Sequence, residues 1–486
     1  MTRASPRLTP RSPFGRSIRR RRPGTASISP RHSDSTTSSA LRFTPAMSRC
    51  EDLITSSPPT KTGPTETVTR CVALAASSAL GLDAYADAIF GEQCAFALPT
   101  VEPDARGERA SSSKRSDEKR ERERKEAKKE LERTSLGRLV VRFKDVRGRA
   151  LAGDLDLVAF YFGVSALGAL GAFVERIVRA RSEISDALTP TLAAFGIGIA
   201  MRALWRAHTD ARVTPSSEKT VAMLFAFVAW CASTLFVLLA PVGVRDFKLA
   251  SVANAVNEVL VDNLRGRPQA SLEVVGVTFG LLGAAVAGLS LAATVRVTKS
   301  YLIFTTIPEW AASYAGSSAV SHWRRFVVHT ALALPVLAVV AGSPAMVSEP
   351  LGLLDTTTRD IQCVMFVIAG TFMMASVNPL TQAHLDSGLI AWYEVKEGND
   401  DGVLSERAVA VVTRKLDVTN HLVCKVALQV AAPALFIFSC GLGGLTATTF
   451  TSEMFVILGW FSAAWSVVVG IFTVVASQPE VVFATR

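Results

Sequence analysis

The sequence predicts an all-α protein, a polytopic integral membrane helical bundle of about eight transmembrane helices behind a disordered basic N-terminal region. Two observations lead to this fold class. Hydrophobic residues make up 49% of the 486 residues and the mean hydropathy is +0.30, although 19% of the residues are charged. The charges are concentrated near the N-terminus, and from Asp154 onward runs of about 20 apolar residues alternate with short polar segments, as transmembrane helices require.

The front of the chain divides into two predicted regions. Residues 1–110 are expected to be disordered; residues 1–49 hold eleven arginines and one acid, Asp34, so this stretch is either a basic tail, a transit peptide, or a leader before a start at Met47. Residues 71–98 are mildly apolar but charged, which indicates an interfacial helix or a loop. In residues 111–150, the run 114–133 is expected to be a charged, solvated helix or else disordered, and 136–149 is expected to be an amphipathic helix that lies on the membrane surface.

Residues 151–478 form the predicted multi-span bundle. The expected spans are 155–174, 187–205, 219–241, 273–296, 325–347, 360–378, 420–446 and 453–476. Helical spacing of apolar residues over Phe247–Leu264 predicts an amphipathic helix between spans three and four, and 386–416 is expected to be a polar loop. Lys and Arg are more frequent in loops on the side of the N-terminus, which predicts that both termini are cytosolic.

Small residues recur every four positions along the predicted fourth span. A ridge of this kind lets a second helix approach closely, and packing within the chain is the preferred interpretation. The ridge consists of Gly276, Gly280, Ala284, Gly288 and Ala292.

The predicted seventh span carries a stripe of polar residues at intervals of four, running from Asp417 through His421, Lys425 and Gln429 to Pro433. Polar groups within a membrane usually face a bundle interior, and a proline leaves the carbonyl four residues earlier without its helical partner. Two interpretations stay open: helix packing with a snorkelling lysine, or a polar site. If the lysine lies inside, Glu453 and Asp417 are its expected partners.

Kinks with nearby polar groups also occur in spans five and six, so spans five to seven are expected to line a candidate polar site. Its residues are His329, Thr330, Pro335, Pro379, Gln382, His421, Lys425, Gln429 and Pro433. The motifs of nucleotide-binding loops, zinc proteases and serine hydrolases do not occur, so no enzyme, cofactor, metal site or catalytic residue is predicted. Because the excess positive charge lies before residue 150, no nucleic-acid partner is predicted either.

Five short stretches resemble the transmembrane protein 161 family: LVVRF (139–143), EKTVAMLFAF (218–227), HTALALP (329–335), PLTQAHL (379–385) and LQVAAP (428–433). The resemblance covers roughly 136–478; the basic tail stands where the family has an N-terminal hydrophobic segment. It implies a regulatory or interaction protein that influences ion currents or stress responses, in an endomembrane or plasma membrane rather than in a plastid or mitochondrion. A membrane-protein partner or a homo-oligomer is then expected. The alternative is a transporter or channel.

Overall fold

The computed structural model describes residues 93–97, 137–141, 149, 151–178, 183–241, 244, 245, 247, 249–263, 271–306, 321–397, 406–447 and 449–477. Every described residue belongs to the unit Pro59–Arg486. The predictions for residues 1–92, for the charged helix over 114–133 and for the N-terminus as a transit peptide lie outside the described residues.

Helices dominate the described residues, and the predicted fold class is confirmed. Within the described ranges, seven helices are long and apolar enough to cross a membrane, or eight if one bent pair counts as a single span. The elements are β1 Cys94–Ala97, β2 Gly137–Val140, α1 Ala152–Val178, α2 Glu183–Thr209, α3 Ser216–Leu239, α4 Leu249–Asn263, α5 Leu272–Thr305, α6 His322–Ala341, a π-helical turn Pro344–Ser348, α7 Glu349–Leu351, α8 Asp355–Ala375, α9 Val377–Glu397, α10 Glu406–His421, α11 Val423–Thr446 and α12 Thr449–Ala476.

The middle of the bundle is occupied by a helix. Every residue of α11 from Val423 to Gly444 is buried, and α11 packs against α1, α2, α5, α8, α9 and α12. By contrast, α3 contacts mainly α5, and its outer face exposes large apolar side chains such as Met223 and Phe227. A helix that is apolar on all sides is expected where no side meets water, and α11 meets other helices on all of its sides.

The predicted amphipathic helix between spans three and four is α4, Leu249–Asn263. Phe247 precedes it and is buried, and its ring lies 5.7 Å from that of Trp460 and 6.0 Å from that of Phe461. This aromatic contact joins the segment before α4 to α12.

The predicted fifth span is six residues too long at its C-terminus. Helix α6 ends at Ala341, and Ser343 has an extended backbone with φ −95° and ψ 116°. Pro344 explains the end, because a proline disfavours helical backbone in the residue before it. The π-helical turn and α7 follow.

The predicted sixth span is a bent pair of helices, and the loop expected over 386–416 is largely helical. Helix α8 ends at Ala375, α9 begins at Val377, and the two are bent by 43°. Pro379 lies in the first turn of α9, where a missing N–H costs no helical hydrogen bond, so it begins a helix rather than kinking one. Helices α9 and α10 pack as a hairpin through Leu389, Trp392, Val412 and Leu416.

The predicted seventh span, 420–446, corresponds to α11, and the chain breaks between α10 and α11 just where this span begins. Helix α10 ends at His421 and α11 starts at Val423, with Leu422 between them at φ −85° and ψ 0°. The polar stripe is therefore not continuous: Asp417 and His421 are exposed on α10, while Lys425 and Gln429 are buried on α11. Neither glycine nor proline marks this break in the sequence.

The prediction of a helix over 136–149 is wrong for its first residues, because Gly137–Val140 form a strand. Strand β2 pairs antiparallel with β1, with Cys94 opposite Val140 and Ala97 opposite Gly137. The pairing is continued by the Val141 N–H, which donates to Gln93 O at 2.8 Å. Since the partner strand lies some forty residues earlier, local periodicity could not show it. Strand β1 also contacts α9 and α10, and the 71–98 segment thus ends in a strand.

The glycine ridge packs within the chain, against α3. A Cβ at Gly280 would lie 2.9 Å from Thr234 Cα, and one at Gly288 would lie 2.8 Å from Ala226 Cβ. Ala284 is 4% exposed. The ridge therefore allows α3 and α5 to approach each other closely, as predicted.

We expect Gly280→Leu and Gly288→Leu to lower the melting temperature of the detergent-solubilised protein by roughly 5 °C, because α3 must move outward and loses packing along its length. Gly198→Leu is the matched control, since a Cβ at Gly198 would meet no atom within 4 Å. Equal melting temperatures for the ridge variants and the control would contradict the close packing.

Candidate functional site

A network of charged and amide side chains joins three spans at one end of the bundle. Glu218 lies in the first turn of α3, Arg296 lies near the C-terminal end of α5, and Lys425 and Gln429 lie in the first two turns of α11. Because α3 and α5 run antiparallel, the start of one meets the end of the other. We call Glu218, Arg296, Lys425 and Gln429 the charged network, and the end of the bundle that holds it the near end.

Lys425 is the most enclosed member of the charged network. Its side chain is 0% exposed, and Nζ donates to Thr214 Oγ1 at 2.6 Å, to Val213 O at 3.1 Å and to Glu218 Oε1 at 3.2 Å. An ammonium group carries three N–H donors, so three acceptors satisfy it. The amine therefore lies inside and does not snorkel. Its partner is Glu218, and the expected pairing with Glu453 or Asp417 is wrong.

Glu218 bridges two cations that come from different helices. Arg296 Nη2 donates to Glu218 Oε2 at 2.8 Å, and Arg296 Nη1 donates to Gln429 Oε1 at 2.9 Å. The side chains of Arg296 and Glu218 are 22% and 20% exposed, so this pair is partly shielded from solvent. One carboxylate thus balances Lys425 and Arg296 together, and the amide of Gln429 aligns the guanidinium.

Further polar contacts surround the charged network at the near end. Arg206 Nη1 donates to Asp154 Oδ1 at 2.9 Å, which joins the end of α2 to the start of α1. Thr214 Oγ1 donates to Ala207 O at 2.7 Å and so fixes the α2–α3 connection that receives Lys425. The Thr214 bond holds one acceptor of the lysine in place.

The far end of the bundle has a separate polar group. Arg245 Nη1 donates to Gly342 O at 3.0 Å and to Gln362 Oε1 at 2.9 Å. Glu453 at the start of α12 pairs with Arg359 at 3.4 Å. Glu453 is therefore engaged at the end opposite Lys425, which explains why the expected pairing fails.

The remaining predicted site residues do not join the charged network through a described hydrogen bond. His329 is exposed and its Nδ1 lies 3.0 Å from Tyr301 Oη, while the buried Gln382 donates to Asp386 Oδ1 at 2.7 Å. His421 is exposed on α10. Thr330 is half-buried next to His329, and Pro335, Pro379 and Pro433 are buried in their helices.

The network thus lies on spans three, four and seven rather than on spans five to seven. Sequence reasoning missed Glu218 and Arg296 as partners. Each stands at the edge of an apolar run, where a charge is expected to be an interface anchor. Their spacing along the chain contains no signal that they meet; only the antiparallel packing of α3 and α5 brings them together.

A small crevice of about 10 Å³ lies beside Pro433, and a volume of this size holds about one water molecule. Met201, Leu289 and Phe436 are among its apolar lining residues. Among the described residues, no group of three or more His, Cys, Asp or Glu side chains could hold a metal ion. The charged network is therefore the candidate site that the described residues support best.

Comparison with known proteins adds no relative: no protein-family model, no curated protein and no solved structure matches this chain significantly.

Gln429→Leu tests the amide in the charged network. We expect a loss of about 1–3 kcal/mol in the free energy of unfolding, because Arg296 Nη1 loses its acceptor in a partly buried place. Denaturant titration of the purified protein measures this loss. Gln429→Glu supplies an acceptor at the same position and should retain more stability than the leucine variant; the reverse order would show that Gln429 acts only as packing volume.

Proposed function

We propose that this chain is a regulatory or interaction protein of a membrane, one that influences ion currents through a partner and does not itself conduct ions. The resemblance to the transmembrane protein 161 family suggests this class of activity, and an endomembrane or plasma membrane with both termini cytosolic is the proposed location. A membrane protein is the proposed partner; a second copy of the chain is the other candidate.

The observation that carries the proposal is the position of α11. Conducting proteins need a polar path between their helices, whereas here the centre is filled by a helix whose residues 423–444 are all buried. Its buried lysine and glutamine bond to groups of the same chain. An interior of this kind favours a rigid scaffold that acts through its surface.

A transporter is the second candidate, and the charged network favours it. Ionisable side chains inside a membrane bundle commonly mark ion or substrate pathways. Lys425 and Gln429 lie at the start of α11, directly after the break at Leu422, and broken helices form the binding sites of many transporters. In this alternative, the network would rearrange during transport.

Reconstitution of the full chain separates the two candidates. Purified protein in liposomes loaded with sodium-, potassium- or chloride-sensitive dyes is expected to show no flux above that of protein-free liposomes. Expression of the same chain with a voltage-gated potassium channel in cultured cells is expected to change the current density measured by patch clamp.

If the chain is a transporter, the two assays are expected to give the opposite results. Flux in liposomes that is lost in Lys425→Met, at equal protein incorporation, would overturn the regulatory proposal and support transport. Absence of any effect in both the liposomes and a panel of co-expressed cation channels would contradict both candidates as ion-related functions.

A further inference from the structure

Two histidines lie beside the charged network, and each has a buried ring nitrogen without a hydrogen-bond partner among the described residues. His208 lies in the last turn of α2, and the atom is its Nδ1; His384 lies on α9, and the atom is its Nε2. Both side chains are half-buried, whereas the other described histidines are exposed: His322, His329 and His421. Since buried polar atoms are normally hydrogen-bonded, these two nitrogens are places where the near end is incompletely stabilised.

His208 is next to the carboxylate and the lysine of the charged network. Glu218 attracts a positive charge on the His208 ring, whereas Lys425 and Lys219 repel one. Both oxygens of Glu218 already have donors: Oε1 accepts from Lys425 at 3.2 Å, and Oε2 accepts from Arg296 at 2.8 Å. A protonated His208 would therefore be a third cation that competes for one carboxylate.

His384 is next to the arginine of the charged network. Helix α9 packs against α5, and Arg296 repels a positive charge on the His384 ring. The ring also donates to the backbone of Thr419 on α10, and because Nε2 has no partner, the donor is Nδ1. The neutral ring thus holds its proton on Nδ1 and leaves Nε2 as a buried acceptor. A second proton would place another cation beside Arg296.

The charged groups on the surrounding elements do not offset this positive charge. On α1, Asp154 is paired with Arg206, and on α9, Asp386 accepts from Gln382. The other acids described at the near end are Asp156 on α1, Asp210 after α2 and Asp417 on α10; the further cations include Arg202, Arg212, Lys299 and Arg325. The near end is therefore rich in positive charge before either histidine takes up a proton.

We propose that His208 and His384 make the near end a proton-sensitive latch, which is closed while both rings are neutral and opens when they are protonated. Protonation adds up to two cations to a network in which one carboxylate already serves Lys425 and Arg296. The repulsion separates the end of α2 from the start of α3, and the α9–α10 hairpin from α5. These contacts lie within one chain, so the latch does not depend on whether the protein regulates a partner or transports an ion.

Opening of the latch is coupled to proton uptake. In the closed state both rings are neutral, whereas in the open state a water-exposed imidazole takes up a proton near about pH 6.5. The population of the open state is therefore nearly constant above this pH and rises as the pH falls below it. At about pH 5.5 the rise is roughly tenfold for each histidine that becomes exposed.

Hydrogen exchange of the full-length protein in nanodiscs tests the latch. Amide protection, corrected for the intrinsic exchange rate, is measured by mass spectrometry at about pH 7.5 and about pH 5.5 in the segments 206–219 and 378–393. We expect protection of both segments to fall roughly tenfold between these pH values in the unchanged chain. His208→Gln should abolish the fall in 206–219, and His384→Asn, which keeps a donor for Thr419, should abolish it in 378–393. Each variant is compared with itself at the two pH values, so a general loss of stability does not obscure the result.

His421→Gln is the matched control, because His421 is exposed on α10 at the same end of the bundle. This variant should keep the pH response of both segments. A response that is absent from the unchanged chain, or that persists in the double variant His208→Gln/His384→Asn, would overturn the proposal, since the two histidines would then not be the groups that take up the protons. An equal loss of protection at the far end, in residues 355–365 of α8, would also overturn it, because that would show unfolding of the whole bundle.

Discussion

Replacing Glu218 with glutamine is expected to lower the free energy of unfolding by about 3 kcal/mol, the low end of the range for breaking a buried ion pair. The carboxylate serves Lys425 and Arg296 at once, so the change leaves two neighbouring cations without their counter-charge. The partial exposure of Glu218 keeps the loss from being larger. Thermal unfolding of the detergent-solubilised protein, together with a denaturant titration, measures the effect.

A double variant shows whether the loss is electrostatic. Removing Lys425 as well, in Glu218→Gln/Lys425→Met, takes away one of the two uncompensated charges and should recover about half of the lost stability. Asp417→Asn is the control for removing an acid near the same end of the bundle, because Asp417 is exposed on α10. A loss of stability in Asp417→Asn as large as that in Glu218→Gln would contradict the assignment of Glu218 as the bridging carboxylate.

Gly441→Leu is expected to prevent folding, and Gly441→Ala to cost about 3 kcal/mol. A Cβ at Gly441 would lie 2.6 Å from Cys363 O and 2.8 Å from Val367 N, which are backbone atoms of α8. Backbone atoms cannot rotate away as a side chain can, so the two helices would have to separate. Helix α8 is held on its other side by α6, and α11 is enclosed by the rest of the bundle.

The amount of monodisperse protein after size-exclusion chromatography, and its melting temperature, measure the Gly441 variants. Gly198→Ala is the matched control, and its expected effect on stability has the opposite sign. The added Cβ would meet no atom within 4 Å, and alanine is a better helix former than glycine. We expect it to be neutral or to stabilise by up to about 1 kcal/mol. A neutral Gly441→Ala would show that α8 and α11 are not in backbone contact.

The position of the central helix links these two predictions. Helix α11 is held against α8 by the close contact at Gly441, and it is held at its near end by the charged network. Lipid does not favour either kind of residue at these positions. A glycine has no side chain to bury, and a charged residue is costly in hydrocarbon. Each is explained by a neighbouring helix in the same chain.

The sequence by itself determined the fold class and the existence of most of the spans. Apolar runs of membrane length are a local property, and each run must be helical because the bilayer offers no partner for unpaired backbone groups. The small-residue ridge over Gly276–Gly288 was also readable, since a spacing of four places these residues on one face. The interior position of Gln429 was expected from the cost of a polar group in lipid, whereas the sequence left open whether Lys425 snorkels or lies inside.

Tertiary structure alone decided which groups meet. The pairing of Lys425 with Glu218 depends on packing that brings the starts of α11 and α3 to the same end of the bundle, although the two residues are 207 positions apart in sequence. The β1–β2 pairing likewise depends on contact between segments with a long connection between them. The turn at Leu422, which separates His421 from Lys425, has no glycine or proline to announce it. Local periodicity carries information about one helix at a time, whereas these features depend on the packing of several.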